Sequence, residues 1–165
     1  MFLVTEAGQL GRSGMNSFGM SVTANSLMST DDYSPEGNIE KPVMPISLLR
    51  RMVLESAHLS EALTAVQQIP RHVNNNLTIA SSQGFGMCLE ITPNQVYRLH
   101  YNLDEQYLVH ANHFVNNAAL SRDSVYDRYP GGSSWFRRQR FEQCIRPFAH
   151  GLKHYVVTQK RTQLM

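Results

Sequence analysis

Apolar and polar positions along the chain change period several times, and each change marks an element. Phe2-Leu3-Val4 opens an extended stretch read as a strand over 2–7, and Phe18, Met20, Val22 and Ala24 then alternate with Gly19, Ser21, Thr23 and Asn25. Period two is the signature of a strand with one face in a core. Between the two strands lie Gly8, Gly11, Gly14 and Gly19. A nucleotide-binding G-x-G-x-x-G loop would lead into a helix, whereas this stretch leads into a strand, so the glycines are read as turns and close strand-to-strand approaches. Residues 29–45 turn polar and proline-rich and are read as a surface excursion, with a loop bordering a cleft as the alternative. Pro45 then precedes Ile46, Leu49, Met52 and Val53 at helical spacing, and a second helix carries Leu59, Ala62, Leu63, Val66 and Ile69 up to Pro70. The two helices are expected to lie as a layer on a sheet, with Arg50 and Arg51 on the solvated face.

After Pro70 the period returns to two. Strands are predicted over 77–82, 86–92, 95–101 and 106–114, separated by Gln83-Gly84, Pro93-Asn94 and Asn102-Leu103-Asp104, which makes an antiparallel meander. In the last of these strands His110, Asn112 and Phe114 would share one face, and Val109, Ala111 and His113 the other. A loop over 115–132 follows. Ser133 or Ser134 is expected to cap a helix from about 135 to 148, with Phe136, Phe141, Cys144, Ile145 and Phe148 inward and Arg137, Arg138 and Arg140 outward. The polar end after residue 153 reads as frayed or cut short. Strands in sequence with separate helices define an α+β class.

Composition narrows the partners. A chain of 165 residues with 17% charged residues and a net charge of +2 has the size of one domain and no electrostatic case for nucleic acid. No basic leader and no run of ~18 apolar residues is present, so neither a signal peptide nor a membrane span is read; the compartment stays unknown, with the cell interior slightly favoured. Cys88 and Cys144 lie too far apart in sequence for metal-type spacing, and both are read as core thiols. A metal site from His100, His110 and His113 is disfavoured because strand positions three apart project to opposite faces. Asn112 leaves two readings open. A buried amide is either satisfied by its neighbours or aimed at developing negative charge.

Three blocks, in order, carry a family resemblance. Thr5-Glu6-Ala7-Gly8 with Gly11, Gly14-Met15-Asn16-Ser17 and Asn25 is the first. His110-Ala111-Asn112-His113 is the second, with Ala111 where threonine is usual; Tyr129-Pro130 through Ser134-Trp135 and Arg138-Gln139-Arg140 is the third. Together, over about residues 3–146, they resemble the acyl-coenzyme A:6-aminopenicillanate acyltransferase family of self-processing cysteine amidases. That resemblance implies an Ntn-hydrolase αββα sandwich, here incomplete: a partial domain over 1–150 and a divergent or truncated tail over 151–165. It implies a small-molecule acyl amide or acyl thioester as substrate and no cofactor. The nucleophile would be an N-terminal cysteine whose own amine accepts its proton. Asn112 matches the family's oxyanion donor, while His110, His113 and Glu6 are assigned to supporting or substrate-binding positions. The family's cysteine and its neighbouring aspartate lie ahead of the Thr5 block, so no nucleophile is expected in this chain, and a downstream catalytic arginine is not matched either. The alternative is a non-catalytic fragment or pseudoenzyme. Uncovered strand edges near 3–7 and 109–114 would favour self-association.

Overall fold

The computed structural model describes residues 1–30, 32, 42–100, 107–121 and 132–162, with His100 and residues 150–162 as backbone only. Most of the 29–45 excursion and the Tyr129-Pro130 turn lie outside these residues. Among them, strands β1 (Phe2–Val4), β2 (Ser13–Met15), β3 (Met20–Ser26), β4 (Asn75–Ser81), β5 (Gly86–Ile91) and β6 (Val96–His100) form one antiparallel sheet in chain order. Helices α1 (Ile46–Glu55) and α2 (Leu59–Gln68) interrupt the meander after β3, and α3 (Asn117–Leu120) and α4 (Ser133–Thr162) follow it. The α+β class and the meander agree with the sequence. β2 was hidden among the glycines, and its Gly14 shows why they are needed: a Cβ there would run into the Phe2 carbonyl oxygen of β1. A Cβ at Gly11 would press on the Arg51 Cβ at 3.2 Å, so this glycine lets the chain lie against α1.

The two faces of the sheet have different chemistry. Val22, Leu77, Ile79, Leu89 and Ile91 meet Leu49, Val53 and Leu54 of α1 and Ala62 and Val66 of α2, each no more than 1% exposed. Burying each large side chain is worth about 1.5–3 kcal/mol, and this layer supplies the main apolar core. Arg71 fastens it from behind. Its guanidinium donates to the carbonyls of Val66 and Thr92, both at 2.7 Å, and to those of Ile69 and Gln95 at 3.2 and 3.1 Å. The opposite face carries the cross-strand row Asn25, Asn76, Glu90 and Tyr97, set by the pairings Asn25 with Asn76, Asn76 with Glu90 and Glu90 with Tyr97. A smaller cluster of Leu27, Tyr97, Phe114 and Ala119 packs on this side.

Four expectations are corrected. Residues 107–114 form no strand, because their polar groups are taken by side chains from both neighbouring layers rather than by a ladder. The alternation of faces assigned to His110, Asn112 and His113 therefore does not hold, and the second sheet edge is β6. Arg50 is 7% exposed and belongs to the buried face of α1. Cys144, Phe136, Phe141 and Phe148 are exposed rather than inward, because α4 leaves an open groove between itself and β3 and β4. Finally, α4 runs as helix through Pro147 to Thr162, well past the expected end at 148.

Candidate functional site

The segment 107–116 is moored to the polar face of the sheet by Glu90. This carboxylate is fully buried; Oε1 meets His110 Nε2 at 2.8 Å and accepts the Val115 N–H at 2.6 Å, and Oε2 accepts the Asn116 N–H at 3.1 Å. His110 Nδ1 faces the Ala111 carbonyl at 2.8 Å, and the His110 carbonyl accepts from Asn25 Nδ2 at 3.3 Å. Asn116 closes the segment by capping α3, its Oδ1 accepting from Ala118 and Ala119, while its Nδ2 donates to the Arg98 carbonyl of β6. These bonds hold the segment as a ledge against the polar face of the sheet.

Asn112 stands on that ledge and is fixed at three points. Its backbone N–H donates to Ser134 Oγ at 2.7 Å, its Nδ2 donates to the Ser26 carbonyl at 2.9 Å, and its Oδ1 accepts from Arg137 Nη2 at 3.0 Å. Ser134 Oγ also bonds His113 Nδ1 at 2.7 Å, and the His113 ring stacks on Trp135 with centroids 4.2 Å apart. Ser134 thus works as a joint between the ledge and the first turn of α4, rather than as the helix cap expected. The two histidines lie 6.4 Å apart in near-parallel planes, each committed to a partner of its own.

Asn112 and Glu6 come together at one cavity of about 680 Å³ beyond the end of β3. Its walls include Glu6 and Arg12 from the segment after β1, Asn25 and Ser26 from β3, and Ser47 and Arg50 from α1. Glu6 is tied locally, by Gln9 Nε2 at 2.9 Å and by an ion pair with Arg12. His110 and His113 do not line this cavity. His110 instead borders a second, mainly apolar groove of about 560 Å³ under α4, with Thr23, Thr78, Phe136, Phe141 and Cys144.

Glu90, Ser134, Arg137 and Arg50 were missed as site residues. A lone carboxylate in the run Met87-Cys88-Leu89-Glu90-Ile91 was a signal, since a charge in a buried strand must be paired. Cys88 lies in the same strand, fully buried, and burial pushes its thiol up to about 12. It donates nothing to the cavity.

The arrangement defines an α+β protein whose candidate site brings a hydrogen-bonded amide and guanidinium groups to one end of an antiparallel sheet. The sequence model of the family described as acyl-coenzyme A:6-aminopenicillanic acid acyl-transferase matches residues 2–157, and the chain belongs to that family. Comparison with curated proteins gave no match. The family is one of acyltransferases and so implies acyl substrates. No helix among the described residues is long and apolar enough to cross a membrane.

Proposed function

We propose that this chain provides the oxyanion-stabilising half of an acyl-transfer site acting on small-molecule acyl amides or thioesters, with Asn112 as the donor. The observation that carries it is the fixation of that amide. Ser26 takes one N–H and Arg137 occupies the oxygen, so among the described residues the second N–H remains for the cavity that Asn112 lines. A donor held in place before charge develops is what a tetrahedral intermediate requires. Glu90, His110, His113 and Ser134 act as positioning residues behind it. The sheet is read as one of the two of an αββα sandwich, with the exposed phenylalanines of α4 facing the side where a second sheet would lie. The family resemblance would put the nucleophile, a cysteine, ahead of the block that Thr5-Glu6-Ala7-Gly8 matches. Cys88 is unsuited, being buried and held protonated, and Cys144 lines the apolar groove rather than the Asn112 cavity.

In a family member that carries such a cysteine, replacing the asparagine matching Asn112 by alanine is expected to lower kcat by ~10²–10³ with a smaller change in KM. A folded variant with unchanged kcat would remove the assignment. The second reading, a catalytically silent chain, draws on the same inert Cys88; turnover of amide substrates by the 165-residue chain itself would exclude it.

A further inference from the structure

The cavity that holds Asn112 also contains a charge with no ion-pair partner among the described residues. Arg50 is 7% exposed, its Nε makes no hydrogen bond, and among the described residues no carboxylate forms an ion pair with it. Arg71, similarly buried, spends its guanidinium on four backbone carbonyls, so the fold satisfies a buried arginine where it needs one as a strut. Arg50 is treated differently. Arg12, of the same sign, acts on it, and Arg12 is itself paired with Glu6. Burial and Arg12 together lower the Arg50 pKa, as expected where negative charge is lacking. The first turn of α1 adds to this: Ile46 and Ser47 line the same cavity, no acidic residue stands in that turn, and no side chain caps it. The positive end of the helix dipole therefore faces the cavity.

We propose that this cavity binds the carboxylate of a small organic acid, with Arg50 as its principal anchor. A planar guanidinium matches a carboxylate with two parallel N–H donors, and Ser47, Asn25 and Asn112 supply neutral polar walls for the rest of the molecule. The cavity has room for an acid well beyond acetate. The proposal shares the cavity of the proposed acyl-transfer site and adds to that reading a carboxylate on the bound molecule; occupancy itself needs no nucleophile.

Binding is measured by calorimetry and by the shift in thermal midpoint, with N-acetylglycine as probe, its neutral amide N-acetylglycinamide as control, and inorganic phosphate as a competing anion. Wild type is expected to bind the acid at least tenfold more tightly than the amide. Arg50→Met should lose that preference, and without probe it should melt no lower than wild type, since it removes a buried charge with no partner. A lowered midpoint for Arg50→Met in the absence of probe would instead mark Arg50 as a structural strut. If Arg50→Met does not fold, Arg50→Lys decides: it keeps the charge but loses the fork, and should weaken the acid severalfold. Unchanged affinity in Arg50→Lys, equal binding of acid and amide, or phosphate binding as tight as the acid would each overturn the proposal. Asn112→Ala removes a wall of the same cavity and should weaken acid and amide alike, whereas Arg50→Met weakens the acid alone, so loss of the oxyanion donor and loss of the carboxylate anchor are read separately.

Discussion

Single residues decide reactivity in this chain through their burial. Cys88 sits in β5 with no exposure and its thiol is pushed up to about 12 by burial, whereas Cys144 is exposed on α4. A folded thiol that holds its proton past the ordinary value of 9.0 stabilises the native state below about pH 9; that contribution declines as pH climbs from there toward 12. Iodoacetamide at pH 8 is therefore expected to add a single label, at Cys144, with Cys88 modified only after denaturation; mass spectrometry of the peptides checks this. Arg50 teaches a related point about reading sequences. It follows Ile46 by four positions and precedes Leu54 by four, so its place on the buried stripe was legible from spacing alone. Its charge argued for solvent, and spacing was the better guide.

At the scale of elements, the regular pieces were readable and the irregular one was not. α1 begins and ends as its spacing predicts, α2 stops one residue before its last predicted apolar position, and β3 to β6 lie where period two placed them. Periodicity locates these elements because apolar faces dominate where each one packs. The segment 107–116 misled for a physical reason. Its alternation of apolar and polar groups imitates a strand, yet its backbone partners are the Glu90 carboxylate and the Ser134 hydroxyl, both remote in sequence. A motif singles out Asn112 as a candidate, but nothing local points to the residues that hold it, because no local pattern encodes a contact across the fold. Glu90→Ala should show how much this segment depends on a single anchor. It strips His110, Val115 and Asn116 of their acceptor at once, and a loss of about 3–5 kcal/mol in urea unfolding is expected. Amide exchange at Val115 and Asn116 should quicken more than exchange in β4, and equal protection in both would contradict the anchoring role.

For the whole molecule, the unequal covering of its two sides governs behaviour in solution. Phe2 and Val4 are exposed on edge strand β1, and Phe136, Phe141 and Phe148 are exposed along α4. An unpaired edge and an apolar helix face both favour association. Size-exclusion chromatography of the 165-residue chain is expected to show species larger than a monomer, with no acyl group released from amide substrates under reducing conditions. A stable monomer with turnover would contradict both expectations. The order of the sheet carries a further consequence, for time rather than for shape. Since every strand pairs with its neighbour in the chain, most of the sheet can zip up through short closures, while the β3 to β4 pairing must wait for α1 and α2. The Asn112 ledge needs Ser26, which lies 86 residues away, and the start of α4, so it docks onto a sheet already made. Assembly of the sheet and assembly of the site are thus expected to be separate steps. The amide that would meet the substrate should be among the last groups to settle in folding and among the first to let go when the molecule breathes.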